Sequence, residues 1–126
     1  MKAEELRTGN WVMHSNGTPM QVTRISGGNF ACGTPHCWCY NNVFNPIKLT
    51  TDILNKNFEI DKWDRKHWVV GNMWHIWENP NYGFILGALE MDEFGGGYYV
   101  PCIPCTYFHE LQNLMVDLRI DKKIEL

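Results

Sequence analysis

The sequence predicts an α+β fold made of small antiparallel β-sheets, with an SH3-like N-terminal part, a short middle helix and a C-terminal amphipathic helix. Three observations predict it. Short extended runs alternate with glycine-containing turns along most of the chain. Asn16-Gly17 stands between two such runs, and Asn-Gly is a strong hairpin signal because both residues tolerate positive φ. Near the end, apolar residues recur at helical spacing over residues 107–118.

The N-terminal part is predicted to contain three short strands, over residues 11–14, 20–25 and 29–32. Residues 3–9 form a turn or helical cap before the first strand, and Gly27-Gly28 separates the second strand from the third. Short strands joined by tight turns favour a small curled sheet or an SH3-like barrel. The stretch that follows, up to residue 49, is less regular and carries one extended segment at residues 38–40.

The middle of the chain is predicted to form a short helix over residues 52–57. Thr51 is its expected N-cap, and Asp52 stands in the first turn, where the helix dipole favours an anion. Four strands then follow as an antiparallel meander, with Gly71-Asn72 as a second hairpin turn. These strands are predicted over residues 68–70, 73–77, 83–90 and 98–103.

The C-terminal helix is the clearest element of the sequence. It is predicted over residues 107–118, with Thr106 as the N-cap. One stripe of this helix is apolar and is formed by Phe108, Leu111, Met115 and Leu118. Residues 120–126 are predicted to end the chain as a short strand.

Composition places the chain among ordinary globular proteins. Its 126 residues predict a single domain over residues 1–126, and 44% of them are hydrophobic. The net charge is −3 and the charges are scattered, so the electrostatic footprint of non-specific nucleic-acid binding is missing, although a local basic patch stays open. The first residues lack the apolar stretch of a signal peptide, and no run has the roughly 18 apolar residues of a membrane span. A cytoplasmic protein with no membrane partner is therefore expected.

The five cysteines are the first candidates for chemistry. An odd number in a cytoplasmic setting argues against a complete disulfide framework. Structural zinc binds four soft ligands in a tetrahedron, often as two close pairs from separate loops. The hypothetical ligand set is Cys37, Cys39, Cys102 and Cys105, with Cys32 or His36 in reserve. The alternative is that these cysteines are small buried side chains with no metal.

Other chemical motifs are incomplete. Cys102-Ile103-Pro104-Cys105 resembles a thioredoxin-type motif, but its prolines hold it extended and it comes too late in the chain for that fold. His109-Glu110 opens a zincin-like H-E-x-x-H pattern, yet Asn113 stands where the second histidine is needed. Phosphate-binding loops and nucleophile elbows are also missing. No catalytic residue is therefore predicted.

A cluster of tryptophans is the candidate binding face. Trp68, Trp74 and Trp77 lie in the predicted meander and would stack a base or a sugar if they faced solvent. The alternative is that they fill the core, since each buried tryptophan contributes a large apolar area.

Three segments together resemble a known family. They are Leu6-Arg7-Thr8-Gly9-Asn10-Trp11-Val12, the Asn45-Pro46-Ile47-Lys48-Leu49-Thr50 stretch, and Tyr107-Phe108-His109-Glu110-Leu111-Gln112-Asn113-Leu114. In this order they resemble a family of small uncharacterised proteins from Bacteroidales genomes and their phages. Lys48 departs from the family pattern, which has proline there, and the cysteine-rich stretch lies outside it. The resemblance implies a shared fold and a phage or mobile-element setting, and it brings no catalytic residues.

The sequence therefore predicts a non-enzymatic binding or interaction module, in keeping with a phage or mobile-element accessory protein. Its partner is a protein, a nucleic acid or a small molecule, and no cofactor is expected. A small domain with a structural zinc site is the first alternative. An enzyme whose site is assembled from distant residues is the second, because such a site leaves no local spacing.

Overall fold

Two antiparallel sheets and two α-helices make up the described part of the chain, in a computed structural model. The structure describes residues 2–33, 38–39, 43–61, 67–71, 73–91 and 93–126. Each sheet has five strands. The predicted α+β class is thereby confirmed, whereas the finer SH3-like description stays a prediction.

The chain divides into two compact units. The first unit comprises Met1–Lys48 and Tyr107–Leu114, and the second comprises Leu49–Thr106 and Met115–Leu126. The prediction of a single domain is neither supported nor contradicted by this division, because segments distant in sequence complete each unit.

The first unit contains a 3₁₀ turn (Ala3–Glu5) and five short strands. The strands are β1 (Trp11–His14), β2 (Pro19–Ser26), β3 (Asn29–Cys32), β4 (Trp38–Cys39) and β5 (Phe44–Pro46). Their order across the sheet is β4-β3-β2-β1-β5, and all neighbours are antiparallel. The three strands predicted for this part of the chain are confirmed, and β5 adds a partner on the outer side of β1.

The Asn16-Gly17 turn forms as predicted between β1 and β2. Gly17 has a φ of +88°, a conformation that glycine adopts without a steric penalty from a Cβ atom. The Gly17 amide donates to the His14 carbonyl over 2.8 Å, and the Thr18 amide donates to Asn16 Oδ1 over 3.0 Å. The local sequence therefore specifies both the backbone conformation and the hydrogen bonds of this turn.

The core of the first unit lies against this sheet. It consists of Ala3, Leu6, Val12, Val22, Phe30, Cys32 and Phe44, all buried. The rings of Phe30 and Phe44 pack with their centroids 5.2 Å apart. Burying one such side chain contributes about 1.5–3 kcal/mol. The two rings are therefore major contributors to the stability of this sheet.

The second unit is a simple meander preceded by a helix. Its elements are α1 (Thr51–Asn57), β6 (Glu59–Ile60), β7 (His67–Gly71), β8 (Trp74–Asn79), β9 (Gly83–Met91) and β10 (Gly97–Cys105). The strand order β10-β9-β8-β7-β6 follows the chain, so the predicted meander is confirmed. All four strands run longer than predicted, and β9 and β10 each have nine residues.

The cap of α1 differs from the prediction. Thr50, and not Thr51, is the N-cap, and its side-chain oxygen accepts a hydrogen bond from the Ile53 amide over 3.3 Å. Thr51 is the first residue of the helix. The prediction was wrong by one position because neighbouring threonines have the same capping chemistry, and only the extended backbone of Thr50 distinguishes them.

The second helix, α2 (Phe108–Asp117), begins one residue later than predicted. Tyr107 precedes it as the N-cap. The Tyr107 amide donates to Glu110 Oε1 over 2.9 Å, and its carbonyl accepts the first helical hydrogen bond, from Leu111. This is one of the two hydrogen bonds of a capping box, the one in which the side chain of a glutamate at the third helical position accepts from the backbone amide of the N-cap residue. The prediction of Thr106 as the N-cap is therefore wrong.

The predicted strand over residues 120–126 does not form. The chain leaves α2 through Arg119, which has a φ of +57°, and the Ile120 amide then donates to the Met115 carbonyl over 2.9 Å. Further along, Asn57 of α1 pairs with the peptide of Glu125 through two hydrogen bonds, of 2.6 and 2.7 Å. An amide side chain thus satisfies the backbone groups that a neighbouring strand would otherwise satisfy.

Gly71 is required by close packing, which differs from the turn role predicted for it. It ends β7, and a Cβ atom at this position would lie 2.9 Å from Cγ2 of Ile120. Its φ is not in the left-handed region. Asn72, the second residue of the predicted turn, lies outside the described residues.

Candidate binding surface

The predicted zinc ligands lie in different parts of the chain. Cys39 is in β4, paired with Phe30, in the first unit, whereas Cys102 and Cys105 are in β10 of the second unit. Cys37 and His36 lie outside the described residues, and the reserve ligand Cys32 is a buried core residue. Among the residues that the structure describes, no group of three or more metal-ligating side chains is found. The zinc site stays a prediction.

The Cys-Ile-Pro-Cys segment belongs to a strand. Cys105 is buried at the end of β10, and its Sγ lies 3.7 Å from the Ile103 carbonyl oxygen. The next helix begins only at Phe108. A thiolate is stabilised at a helix N-terminus, and Cys105 lies before that position.

The structure does not bring the three tryptophans onto one face of their sheet. Trp68 pairs with Ile76, which lies two residues from Trp74 on β8, so Trp68 and Trp74 share a face. Trp77 is three residues from Trp74 on the same strand and lies on the opposite face. A single surface containing all three rings is therefore not formed.

Trp68 is a core residue of the second unit. It is 8% exposed, and its indole nitrogen donates to Oδ1 of Asn55 on α1 over 2.9 Å. Its ring meets that of Phe84 edge to face, with centroids 6.0 Å apart. The indole thus packs its apolar body and satisfies its single donor, which fits the core interpretation of this residue.

The opposite face of the same sheet holds a group of polar aromatic side chains. His75 pairs with Val69 and Trp77 pairs with His67, so their side chains point to one side. The His75 and His67 rings lie edge to face at 6.2 Å, and the His67 and Trp77 rings lie 5.6 Å apart. Asp61, which follows β6, places Oδ2 3.7 Å from Nδ1 of His75.

Burial sets the charge of His75. It lowers the pKa of this histidine, while the nearby Asp61 carboxylate acts in the opposite direction and His67 adds to the lowering. His75 is therefore held mainly neutral at pH 7, with the Asp61 carboxylate 3.7 Å from its Nδ1. Because burial lowers the pKa of His75, its imidazole takes up a proton less readily than a free histidine does. No spacing in the sequence predicts this group, because its members come from two strands, β7 and β8, and from the residue that follows β6.

His109, the histidine of the incomplete zincin-like pattern, is buried on α2. Its ring stacks in parallel on that of Tyr107, with centroids 5.9 Å apart. Burial lowers its pKa, against the opposing effect of Glu110 and Glu5. Nδ1 of His109 has no hydrogen-bond partner among the described residues. The side chain therefore packs as a neutral ring.

Strands β9 and β10 continue past the end of β8 as a two-stranded ribbon. The last residue of β9 that pairs with β8 is Ala88, opposite Trp74. Beyond this point, among the described residues, β9 pairs with β10 alone, in the pairs Leu89 with Tyr99, Glu90 with Tyr98 and Met91 with Gly97. Three residue pairs at about 3.4 Å per residue extend this ribbon by roughly 10 Å. We call residues 89–99 the acidic arm.

Phe94 stands at the tip of the acidic arm. Its side chain is 93% exposed, the highest value among the exposed large hydrophobic residues of the described chain. Gly95, which follows it, has a φ of +83° and lets the chain reverse immediately after the ring. The turn therefore presents an aromatic ring to solvent at the far end of the ribbon.

A β-bulge lies at the root of the acidic arm. The pairing of β10 with β9 shifts between Val100 and Ile103, so β10 carries one extra residue there. Bulges increase the local twist and change the direction of a strand. The bulge includes Pro101 and Cys102, so the first half of the Cys-Ile-Pro-Cys segment sits where the arm leaves the sheet.

The formal charge of residues 89–99 equals the net charge of the chain, −3. Residues 89–99 contain three acidic residues and no basic residue. The whole chain has fourteen acidic and eleven basic residues, so the remainder carries eleven of each and is neutral overall. The sequence alone does not predict the arm, because the arm is defined by the position at which β8 stops pairing with β9.

The chain shows no detectable similarity to characterised proteins: no protein-family model, curated protein or solved structure matches it. Within the described residues, neither helix has the length and apolar character needed to cross a bilayer.

Proposed function

We propose that this protein is a non-enzymatic binding module that engages a protein partner through the acidic arm. The observation that carries the proposal is the 93% exposure of Phe94 at the tip of a ribbon that extends beyond its sheet. Transfer of a phenylalanine side chain from water into a partner's pocket is worth about 1.5–3 kcal/mol. Aromatic residues that fill such pockets commonly dominate binding energy.

A protein fits this surface better than the other two expected classes of partner. Nucleic acid is repelled by a segment with three acidic and no basic residues. Small molecules bind in concave sites, whereas the arm is a two-stranded ribbon that continues past β8. The resemblance to Bacteroidales and phage proteins supports an accessory role in the cytoplasm of a bacterial or phage-infected cell.

The test compares two exposed aromatic residues of the same sheet. Phe94→Ser removes the ring at the arm, and Tyr82→Ser removes a 70% exposed ring from the turn between β8 and β9, at the other end of the sheet. Each immobilised variant is incubated with a Bacteroidales lysate, and retained proteins are identified and titrated in purified form. Circular dichroism checks that both variants are folded.

We expect at least one protein to bind the wild type and Tyr82→Ser with equal affinity. The Phe94→Ser variant is expected to bind it about tenfold or more weakly. Equal affinities of the wild type and Phe94→Ser for every retained protein would overturn the proposal.

A further inference from the structure

We infer that Asn16 is a site of spontaneous covalent modification, at which the side-chain amide is lost as ammonia and replaced by a carboxylate. The reaction consumes water and needs no enzyme. The inference is independent of the acidic arm and of its partner. It follows from the sequence, the hydrogen bonds and the exposure of the turn between β1 and β2.

The residue after Asn16 is the one that hinders this reaction least. The nucleophile is the backbone nitrogen of the following residue, and Asn16 is the only asparagine of the chain that is followed by glycine. Glycine has no Cβ atom to obstruct the approach of its nitrogen. A Cβ atom placed at Gly17 would have no neighbour within 4 Å, so there is open space where a cyclic intermediate forms.

The turn also places and polarises the carbonyl group that is attacked. Oδ1 of Asn16 accepts a hydrogen bond from the Thr18 amide over 3.0 Å, so the side chain is folded over the backbone of Gly17. Negative charge develops on this oxygen when a nucleophile adds to Cγ, and a backbone amide at this distance stabilises such a charge. The hydrogen bond that shapes the turn therefore favours attack on the side chain.

Another hydrogen bond of the turn slows the reaction. The Gly17 amide must lose its proton before it attacks, and its N–H donates to the His14 carbonyl over 2.8 Å. Attack requires this bond to open. Residues 15–18 are exposed, so the bond opens locally and hydroxide reaches the amide. The modification is therefore slow in the folded protein, and it becomes faster as the pH rises.

Ammonia and water balance the reaction. The Gly17 nitrogen forms a bond to Cγ of Asn16, the bond from Cγ to the side-chain nitrogen breaks, and ammonia leaves with the proton that Gly17 has lost. Water then opens the cyclic imide. Opening at Cγ gives aspartate, whereas opening at the main-chain carbonyl gives isoaspartate, in which the backbone runs through the former side chain.

The two products affect the hairpin differently. Aspartate keeps a side-chain oxygen for the Thr18 amide and adds one negative charge to a net charge of −3. Isoaspartate adds a methylene group to the backbone of a turn whose flanking residues Met13 and Pro19 are paired. The buried residues Val12 and Val22 lie on the two strands that this turn connects. The isoaspartate form is therefore expected to unfold at a lower urea concentration than the unmodified protein.

The experiment follows the whole protein during incubation at neutral and at mildly alkaline pH. The wild type is compared with Asn16→Gln, in which cyclisation needs a larger ring, and with Asn81→Gln. Asn81 is the matched control because it is also exposed in a turn but is followed by Tyr82. Isoelectric focusing separates the acidic form, peptide mass spectrometry locates the modified residue, and isoaspartate methyltransferase detects isoaspartate.

We expect an acidic form to accumulate in the wild type and in Asn81→Gln, faster at the higher pH, with the modification at Asn16 and with isoaspartate present. Asn16→Gln is expected to lose this form. The inference fails if another asparagine is converted before Asn16, or if Asn16→Gln accumulates the same form. It also fails if Asn16 keeps its amide throughout the incubation while urea-denatured wild type is converted at this residue.

Discussion

Arg119 adopts a backbone conformation that side chains disfavour. Its φ of +57° places it in the left-handed region, where a Cβ atom costs about 1–2 kcal/mol. The conformation is imposed by the end of α2, because the Ile120 amide bonds the Met115 carbonyl and the Arg119 amide bonds the Val116 carbonyl. This pair of hydrogen bonds is a Schellman motif, in which glycine is the usual residue.

We therefore predict that Arg119→Gly stabilises the protein. Removing the Cβ strain should raise the free energy of unfolding by about 0.5–1 kcal/mol, since part of the gain is offset by the greater freedom of glycine in the unfolded chain. Urea unfolding measures the change. Arg119→Ala is the matched control, because it removes the arginine side chain but keeps the Cβ atom. An equal gain in both variants would assign the effect to the side chain and contradict the prediction.

At the scale of elements, the three segments of the family resemblance have architectural roles. Asn10 donates from its amide nitrogen to Oδ1 of Asn113 over 2.8 Å, and its own Oδ1 accepts from the Arg7 amide. Gln112 accepts from the Trp11 amide and donates to the Gly9 carbonyl. The first segment is thus tied to the third, which is the start of α2.

The middle segment joins the same arrangement. Pro46 lies in β5 and pairs with Val12 of β1. The Ile47 carbonyl accepts from the Phe108 amide, and Lys48 forms an antiparallel bridge with Tyr107. The three segments that carry the resemblance therefore contact one another within the first unit, around the start of α2.

We predict that Asn10 and Asn113 are energetically coupled. Asn10 is 3% exposed, so Asn10→Ala leaves buried polar groups without partners and should cost about 1–3 kcal/mol. Asn113→Ala should cost less, and the double variant should cost less than the sum, with a coupling of about 0.5–3 kcal/mol. Urea unfolding of the three variants measures this. Asn45→Ala, at an exposed position of β5, is the control. Strict additivity of the two substitutions would refute the coupling.

The elements that the sequence predicted well are those fixed by local chemistry. The Asn16-Gly17 turn needs only a residue that accepts positive φ. Residues 120–126 were predicted as a strand, yet no strand forms there, and Asn57 of the distant helix α1 hydrogen-bonds the backbone of Glu125. Alternation along β8 already separates Trp74 from Trp77, which stand three residues apart. The face that Trp68 shares with Trp74 depends on pairing register, which a single sequence does not contain.

At the scale of the whole molecule, the candidate site was harder to predict than the fold. The strands β9 and β10 are visible as extended runs in the sequence. The acidic arm exists because β8 begins at Trp74, three residue pairs short of the turn that joins the two strands. The arm results from a difference in length between β8 and the pair β9 and β10. The sequence of residues 89–99 alone does not show where β8 ends.

The two buried histidines make stability depend on pH. The pKa of His75 and the pKa of His109 are both lowered by burial. The unfolded chain, with a histidine pKa of about 6.5, therefore binds more protons than the folded protein in the range just below that value. Stability consequently rises with pH in this range and is lost as the pH falls below about 6.5, by up to about 1.4 kcal/mol per pH unit for each histidine.

We predict that the free energy of unfolding falls between pH 7.5 and about pH 5.5, and that His109→Gln makes this fall smaller. His109→Gln will itself lower stability at pH 7.5, because the ring that stacks on Tyr107 is lost, so the quantity compared is the pH dependence and not the absolute value. His14→Gln, which replaces a half-buried histidine of β1, is the control for the loss of a histidine. Urea unfolding at both pH values provides the measurement. If His109→Gln keeps the wild-type pH dependence of the free energy of unfolding, the acid sensitivity does not come from His109 and the prediction is wrong.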